Sequence, residues 1–336
     1  MVTATLDQPE QLVFDTARLP LAERIGQYRA LYAVGAEVMQ IGPDPSAKVQ
    51  GWRLDQAVLY DRHLNDIAHR RSADLIASGF MDHFTLTLLL EGEVEYDWDG
   101  HRRTLSPGEM IFSDVRVPGS NQARRAHLIT LSMARNRLAA VTNSVGSLHG
   151  TVLSAPDARL LRDFLVSLVC NLPSLSKTAI VPTTKVLFAL LRITLSGHGR
   201  PEVSERTAQR LEQLRLLIAK RLHDPDFDVD AVVQESGISR ATLYRLVDFK
   251  GGLASFIRFQ RLEEVRRRLS DRSNHAPFNE IALAAGFTNS TQAAQLFEEY
   301  YDIRPAAYRS AVLSAANENS ASELMRLWQY EVRSGW

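Results

Sequence analysis

Residues 228–246 contain the pattern that most restricts how this chain can fold, DVDAVVQESGISRATLYRL. Asp228 is suited to cap a first helix, along which three valines recur on one side. Gly237 stands where the chain would need a left-handed backbone, and Ser239 is suited to cap a second helix. Two short helices around such a turn predict a helix-turn-helix unit, whose second helix enters the major groove of DNA.

The exposed positions near the start of that second helix are the ones that would meet base edges. They are Ser239, Arg240, Ala241, Thr242, Tyr244 and Arg245. Arginine can donate two hydrogen bonds to one guanine, and threonine can donate one or pack on a thymine methyl group. Tyr244 has an alternative interpretation, since it could pack on a neighbouring helix and contact no base.

A second unit of the same kind follows further along the chain. Residues 278–285 predict a helix that ends at Gly286, and a further helix capped by Thr288 or Asn289 runs to Tyr300. The residues expected to face DNA in this unit are Asn289, Ser290, Gln292 and Gln295.

A long helix is predicted between the two units, over residues 255–270. Its apolar positions suit burial between the two halves, and they are Phe256, Ile257, Leu262, Val265 and Leu269. The run of arginines at 266–268 is expected on a solvated face of the same helix.

The N-terminal half has a different hydropathy pattern. Between residues 52 and 133, short apolar or alternating runs are separated by turn residues, and Asp99 with Gly100 gives a two-residue hairpin signal. This pattern predicts a small antiparallel barrel or jelly roll. One amphipathic helix is predicted before it, over residues 20–39, and two helices after it, over 158–172 and 181–195.

The C-terminal hundred residues resemble the DNA-binding domain of the AraC/XylS family of bacterial transcription regulators. The matching motifs are ISRATLYRL, GGLASFIRFQRLEEVRRRL, IALAAGF and the closing RPAAYR. The segment LTLLLEGEVEYDWDGHRRTLSPGEMIFSDVRVP resembles the AraC-binding-like regulatory domain of the same family. The resemblance implies an α+β chain: an N-terminal cupin-like β-barrel with flanking helices, followed by an all-α domain with two helix-turn-helix units.

Six segments are expected on this basis. They are an N-terminal helical segment (1–45), a cupin-like regulatory barrel (46–150), a helical connector suited to dimerisation (151–197), a linker (198–204), the DNA-binding domain (205–310) and a C-terminal tail (311–336).

The second unit departs from the family pattern. Ala293 stands where the family usually has phenylalanine, which predicts a smaller and less ordered core. Residues 231–272 hold nine basic and five acidic residues, a net charge of +4, whereas residues 273–309 hold two basic and four acidic ones, a net of −2. Because phosphate neutralisation dominates DNA affinity, the first unit is expected to supply most of the binding energy.

Whole-chain properties exclude several other classes. The 336 residues carry 39 basic and 39 acidic side chains, so net charge does not indicate a nucleic-acid binder by itself. No signal peptide and no apolar run long enough for a membrane span is apparent, so we expect a cytoplasmic protein without membrane contact. The only cysteine, Cys170, excludes an intramolecular disulfide and is expected to be a small core residue.

The barrel could be a sensor or an enzyme, because cupin-like folds host both. Its histidines are widely separated along the chain and include no His-x-His pair, so we expect no metal, no cofactor and no catalytic residues. The remaining interpretation is a pocket for a small-molecule effector. Candidate lining residues are Phe84, Thr85, Tyr96, Trp98 and Phe112, each of which could equally be core.

The sequence therefore predicts a regulator that binds double-stranded promoter DNA, and more specifically a homodimeric activator controlled by an effector in its N-terminal domain. Glu298 and Glu299 could contact RNA polymerase or simply be solvated. Two alternatives remain: a protein-interaction module whose second unit no longer reads DNA, and a cupin-type enzyme.

Overall fold

The chain divides into two units in the computed structural model. One unit comprises Met1–Pro201 together with Ala321–Ser334, and the other comprises Glu202–Ser320 with the last two residues. The structure describes residues 9–32, 35–55, 57–77, 83–139, 141–142, 145–196, 205–246, 252–271, 273–301, 303–318, 325 and 328. The predicted linker at 198–204 lies outside these residues, so the predicted segment boundaries stay predictions.

Ten antiparallel strands form the sheet of the first unit in its described part. They are β1 Gln11–Asp15, β2 Glu37–Gln40, β3 Ser46–Arg53, β4 Ala57–Asn65, β5 Ile67–Arg71, β6 His83–Trp98, β7 His101–Leu105, β8 Met110–Asp114, β9 Gly119–Ala134 and β10 Val152–Leu153. The main strand order is β1-β3-β4-β9-β6-β8-β10, with β2 on β5, β5 also on β9, and β7 on β6.

Two long strands, β6 and β9, bend so that each pairs with different strands along its length. They pair with each other along most of their length, and the register shifts between Leu89 and Glu93. Gly92 lies in that irregularity with φ 81°, where a β-carbon would collide with the carbonyl of Arg125. The bend lets β9 pair with β4 at one end and with β5 at the other end of the cupin-like barrel.

The hairpin predicted at Asp99 and Gly100 is confirmed. Trp98 pairs with His101, and the two residues between them have φ 49° and 77°, the positive values that a tight two-residue hairpin turn requires.

Five α-helices flank this sheet in the described residues. They are α1 Leu21–Tyr32, α2 Ala73–Ala77, α3 Arg135–Ala139, α4 Ala155–Asn171 and α5 Lys177–Ser196. By length and composition alone α5 could cross a membrane. Its Leu187, Leu191 and Leu195 are instead buried in one core that is shared with α4 and the outer face of the barrel.

Two details differ from the sequence-based expectations. The helix predicted over 20–39 ends at Tyr32, because the residues from Glu37 onward pair with β5 as a strand. The expectation that Cys170 is a core residue is wrong, since the side chain is exposed near the end of α4. The buried positions on that helix, Leu161, Leu165 and Leu168, recur at helical spacing and leave residue 170 on the opposite side.

The second unit is all helical in its described part. Its helices are α6 Glu205–Arg221, α7 Val229–Ser236, α8 Arg240–Leu246, α9 Gly252–Ser270, α10 Phe278–Ala284, α11 Ser290–Tyr301 and α12 Pro305–Glu318. The five apolar residues of α9 that were expected to be buried are all buried. This central helix contributes Phe256 and Ile257 to the core around α7 and α8, so the two helix-turn-helix units share one scaffold.

Candidate DNA interface and ligand cavity

The first helix-turn-helix unit has the local geometry that its sequence predicts. The carboxylate of Asp228 accepts hydrogen bonds from the backbone N–H groups of Asp230 (2.9 Å) and Ala231 (3.0 Å), which caps α7. Gly237 ends that helix with φ 65°, in the left-handed region. The hydroxyl of Ser239 accepts a weak bond from the N–H of Thr242 (3.4 Å), so α8 begins at a fixed point.

Four of the six predicted base-reading residues lie at the start of α8, and the other two follow in its next turn. Ser239, Arg240 and Ala241 are exposed and Thr242 is half-buried, while Leu243 is buried and fixes the helix to the core. Tyr244 and Arg245 lie on α8, but their side chains fall outside the described residues.

The guanidinium of Arg240 already has a partner. It forms an ion pair with Asp230 of α7, and both side chains are more than half exposed. An exposed pair of this kind is weak in water. A phosphate or guanine could therefore compete for the guanidinium without a large cost.

The second recognition helix, α11, is capped by Asn289, one of the two caps predicted for it. The side-chain oxygen of Asn289 accepts bonds from the N–H groups of Thr291 (2.8 Å) and Gln292 (3.2 Å). This oxygen is consequently engaged in capping the helix, although the residue is exposed. Gln292 and Gln295 are exposed and Ser290 is half-buried. Exposed Thr291 has a comparable position, which sequence reasoning missed.

The core of the second unit is filled by aromatic side chains around Ala293. That alanine is fully buried, as are Phe297 and Tyr301 on the same helix and Tyr308 on α12. The Phe297 ring lies 4.5 Å from the Tyr301 ring and 5.6 Å from the Tyr308 ring, centroid to centroid. Ala293 and these three aromatic residues are thus buried together in the second unit, and α10 to α12 form helices in the described residues.

The arginines at 266–268 of α9 all have internal partners; Arg267 is on the expected solvated face, whereas Arg266 is buried. Arg266 is only 4% exposed and binds Glu263, whereas Arg267 and Arg268 both bind Glu264. The physical reason is the spacing, since Glu263 and Glu264 stand three or four residues before the arginines on the helix.

Arg261 is a structural residue as well. Its guanidinium donates to the backbone carbonyls of Leu222 (3.1 Å), Asp224 (2.8 Å) and Phe227 (3.0 Å). These carbonyls belong to the end of α6 and to the turn that follows, so Arg261 fixes the approach to α7.

A cavity of about 170 Å³ lies in the regulatory unit, bounded mainly by the inner faces of the barrel strands. Three of the five residues predicted to line an effector pocket, Thr85, Tyr96 and Trp98, are on its wall. The other two, Phe84 and Phe112, are fully buried in the hydrophobic core instead. They alternate with cavity residues along β6 and β8, because successive side chains on a strand point to opposite faces.

The cavity wall carries several polar groups that sequence reasoning missed. Arg62 donates to the hydroxyls of Tyr32 (3.1 Å) and Thr130 (2.6 Å), but its buried Nε has no hydrogen-bond partner. The buried Nε of Arg71 also has none. One signal was available: Arg62 shares strand parity with the buried residues Val58, Tyr60 and Leu64, which places a charge on an otherwise buried face of β4.

Three histidines also line this cavity, and burial keeps them uncharged. Burial, with help from the charge of Arg62, lowers the pKa of His69 to about 3. Burial, with help from Arg71 and Arg135, likewise lowers the pKa of His83 to about 3. Burial also lowers the pKa of His149. All three therefore face the cavity as neutral imidazoles at physiological pH.

His149 has a defined tautomer in this arrangement. Its Nδ1 accepts a hydrogen bond from the backbone N–H of Asp114 (3.0 Å), so its Nε2 carries the proton. That Nε2–H is buried and has no acceptor. The Asp114 carboxylate is itself engaged by the guanidinium of Arg135 (2.7 Å) and the N–H of Arg116 (3.0 Å).

The fold brings together histidines that are far apart in the sequence. The rings of His63 and His127 stack with centroids 3.9 Å apart, and Nε2 of His127 lies 2.7 Å from Asp61. Each of these three residues offers one ligand atom, all within 4.8 Å of one another. The wide separation of the histidines along the chain therefore did not indicate their separation in the fold, because β4 and β9 are neighbours in the sheet.

The C-terminal part of the chain also reaches the regulatory unit. Met325 lines the cavity, and its sulfur accepts a hydrogen bond from the hydroxyl of Tyr60 (3.2 Å). Trp328 is 1% exposed and donates to Glu10 (3.0 Å), while Gly51 leaves room for its ring. The chain therefore leaves the regulatory unit after Pro201 and returns to it after the helical unit.

Comparison with known proteins agrees with this division. Residues 232–311 match the sequence model of a helix-turn-helix domain family. The crystal structure of the AraC-like transcriptional activator CuxR is 24% identical, covers 75% of this chain and 94% of its own, and superposes with a TM-score of 0.52. An apo variant of ToxT from Vibrio cholerae is 10% identical, with 81% and 99% coverage and a TM-score of 0.34.

The family match, the two capped recognition helices and the barrel define a DNA-binding transcriptional regulator of two units. Residues 232–311 belong to the helix-turn-helix domain family, and the fold of the chain is similar to that of the AraC-like activator CuxR.

Proposed function

We propose that this regulator is an effector-controlled activator that acts as a homodimer in the cytoplasm on double-stranded promoter DNA. The proposal rests on one observation above all: the first turn of α8 presents exposed Ser239, Arg240 and Ala241 from a helix whose start and core face are fixed. A recognition helix reads DNA with these positions.

The first helix-turn-helix unit carries most of the affinity in this proposal. Arg240 is its exposed cation at the groove-facing turn, and Asp230 holds the guanidinium in place until DNA binds. The second unit offers exposed glutamines, which can pair with adenine, but its exposed Arg304 is tied to Glu298 (3.0 Å). The second unit is proposed to contribute more to sequence preference than to the electrostatic attraction for DNA.

The dimer interface is proposed on the outer faces of α4 and α5. Four large apolar side chains are exposed there although the helices are otherwise well packed: Leu160 (60%), Val181 (46%), Val186 (49%) and Ile193 (59%). Exposed apolar side chains that lie together in a patch mark association sites, and we propose that these four form such a patch. The contact with RNA polymerase, proposed through Glu298 and Glu299, rests only on the exposure of these two residues.

Control by an effector is proposed through the barrel cavity. A ligand that binds one arrangement of the two units better than another changes DNA affinity by its differential affinity. Met325 gives such a ligand a route to the DNA-binding unit that is independent of the linker, since it lines the cavity and follows that unit in the chain.

Selection of binding sites from genomic fragments by the purified full-length protein tests this proposal. The expected result is one enriched motif, whose affinity falls steeply with salt concentration and changes when cell extract metabolites are added. Absence of any enriched motif at low salt, with and without those metabolites, would contradict it and favour a protein-interaction role.

A further inference from the structure

The barrel cavity has hydrogen-bond donors without acceptors, and this imbalance points to its ligand. Arg71 makes no hydrogen bond and no ion pair within the described residues, and its Nε is buried. The Nε2–H of His149 and the Nε–H of Arg62 are buried without acceptors as well. A buried donor without an acceptor is costly, and an unpaired guanidinium more so.

The acidic residues on the cavity wall do not balance these donors. The carboxylate of Asp114 already accepts two hydrogen bonds, from Arg135 and from the N–H of Arg116. The carboxylate of Asp97 binds Arg102, whose side chain is 72% exposed at the surface. The positive charge of Arg71 and Arg62 is therefore left facing the cavity.

Resting on the proposed effector control, we propose that the cavity binds a compact organic anion, a carboxylate or a phosphate. Its charged oxygens accept from Arg71 and from Nε2–H of His149, and its body extends along Thr87 and Tyr96 toward Arg62. Guanidinium is suited to this role, because its planar fork binds carboxylate or phosphate with two parallel hydrogen bonds.

The partners of the two guanidinium groups determine the proposed orientation. Arg71 and His149 both interact with Asp114, whose charge acts on both. Arg62 binds Tyr32 and Thr130 instead, so two of its donor groups are already used. The anion head belongs beside Arg71, whose guanidinium makes no hydrogen bond within the described residues.

Pairs of probes that differ in charge test this inference: benzoate is compared with benzamide, and acetate with acetamide. Phenyl phosphate and inorganic phosphate form a second arm of the experiment, which tests a phosphate head group. Binding to the full chain is measured by calorimetry and by the shift in melting temperature. At least one anion is expected to bind about tenfold or more tightly than its neutral partner, as charge-assisted hydrogen bonds predict. The arm that responds identifies carboxylate or phosphate as the head group.

Arg71→Gln is expected to lose about tenfold or more of that affinity. The matched control is Arg70→Gln on the same strand, because Arg70 is exposed and paired with Glu37. Arg71→Lys keeps the charge without the planar fork and is expected to bind with intermediate affinity.

Three results would overturn the inference: no anion of the set binds, amides bind as well as acids, or Arg71→Gln binds as tightly as Arg70→Gln. DNA binding separates this inference from the proposed function. An anion that binds through Arg71 and leaves DNA affinity unchanged supports the ligand class and contradicts effector control. A neutral metabolite that changes DNA affinity through the cavity supports effector control and contradicts the proposed ligand class.

A different observation, on the outer face of the same barrel, carries a second inference. Asp61 and His63 on β4 and His127 on β9 place three ligand atoms within 4.8 Å of one another. Glu91 on β6 pairs in register with His127, so a second carboxylate lies on the next strand. We infer that this cluster binds a divalent transition-metal ion of the kind that prefers imidazole and carboxylate, such as Zn²⁺.

Titration of the full chain with ZnCl₂, followed by calorimetry, tests this second inference, with MgCl₂ as the comparison. One Zn²⁺ ion per chain is expected, with no heat from Mg²⁺. His63→Gln and His127→Gln are each expected to weaken binding by about tenfold or more, while His101→Gln, on the exposed edge strand β7, leaves it unchanged. Equal Zn²⁺ binding in all of these variants, or none in the wild type, would refute the site.

Discussion

Arginine has opposite environments in the two units, and the contrast separates structural cations from functional ones. On α9, Arg261 donates to three backbone carbonyls and Arg266 binds Glu263. On the cavity wall, Arg71 donates to nothing in the described residues, and the Nε of Arg62 has no acceptor. A basic residue near a predicted DNA interface can thus be scaffold, whereas one inside a barrel can be kept for a ligand.

The largest difference is expected when each kind of arginine is replaced by methionine. Arg261→Met leaves three carbonyls without a donor. Each hydrogen bond to a charged group contributes about 1.5–3 kcal/mol. The DNA-binding unit is therefore expected to lose about 3 kcal/mol or more of its free energy of unfolding. Arg71→Met removes a half-buried charge whose Nε has no hydrogen-bond partner, so the regulatory unit is expected to be unchanged or more stable.

Urea unfolding of the full chain measures both effects. Tryptophan fluorescence reports mainly on the regulatory unit, where Trp52, Trp98 and Trp328 lie, and far-UV circular dichroism reports on the helices. The contrast would break if Arg71→Met destabilised its unit as much as Arg261→Met destabilises the other.

The second prediction concerns how the stability of the regulatory unit depends on pH. His69 and His83 in the cavity wall have pKa values of about 3, well below the ordinary value of 6.5. The unfolded chain therefore binds more protons than the folded one between pH 6.5 and 3, and stability falls as the pH falls through this window. Each histidine contributes a slope of about 1.4 kcal/mol per pH unit.

The pH dependence is read from urea midpoints of the tryptophan signal between pH 7 and pH 4. His83→Gln is expected to reduce the slope of the regulatory unit, since glutamine does not titrate. An identical slope in wild type and variant would show that His83 is protonated in the folded state.

The smallest effect concerns the charges of α9 that remain available to DNA. Arg258 is exposed, and its hydrogen bond is to Ser255, with no acidic partner among the described residues. Arg267 is exposed as well but is paired with Glu264. Arg258→Ala is expected to lower the salt slope of DNA binding by about 1, as for one lost phosphate contact, and Arg267→Ala to leave it unchanged. Equal slopes would place both arginines away from DNA.

The fold followed from the sequence wherever a local rule governs the backbone. The hairpin at Asp99 and Gly100, the cap at Asp228 and the left-handed Gly237 depend on conformations that few residues adopt, and each is confirmed. The helix predicted over 20–39 was too long, because pairing of β2 with β5 is a long-range contact that helical periodicity does not report.

The candidate sites were predictable only in part for the same reason. Recognition-helix positions follow from helical phase, so the exposed first turn of α8 could be read from the sequence. The cavity depends on which strands face each other across the barrel. Arg62, Arg71 and His149 come from distant segments, and their shared cavity exists only after β6 and β9 bend and pair.

The central claim is that the first turn of α8 reads DNA, and the affinity of Arg240→Ala for a selected site tests it most directly. Fluorescence anisotropy at fixed salt is compared for wild type, Arg240→Ala and the matched control Arg267→Ala, on the selected site and on a scrambled one. We expect Arg240→Ala to lose about 1–3 kcal/mol of binding free energy on the selected site and little on the scrambled one, while Arg267→Ala matches wild type on both. Unchanged discrimination between the two sites in Arg240→Ala would contradict it.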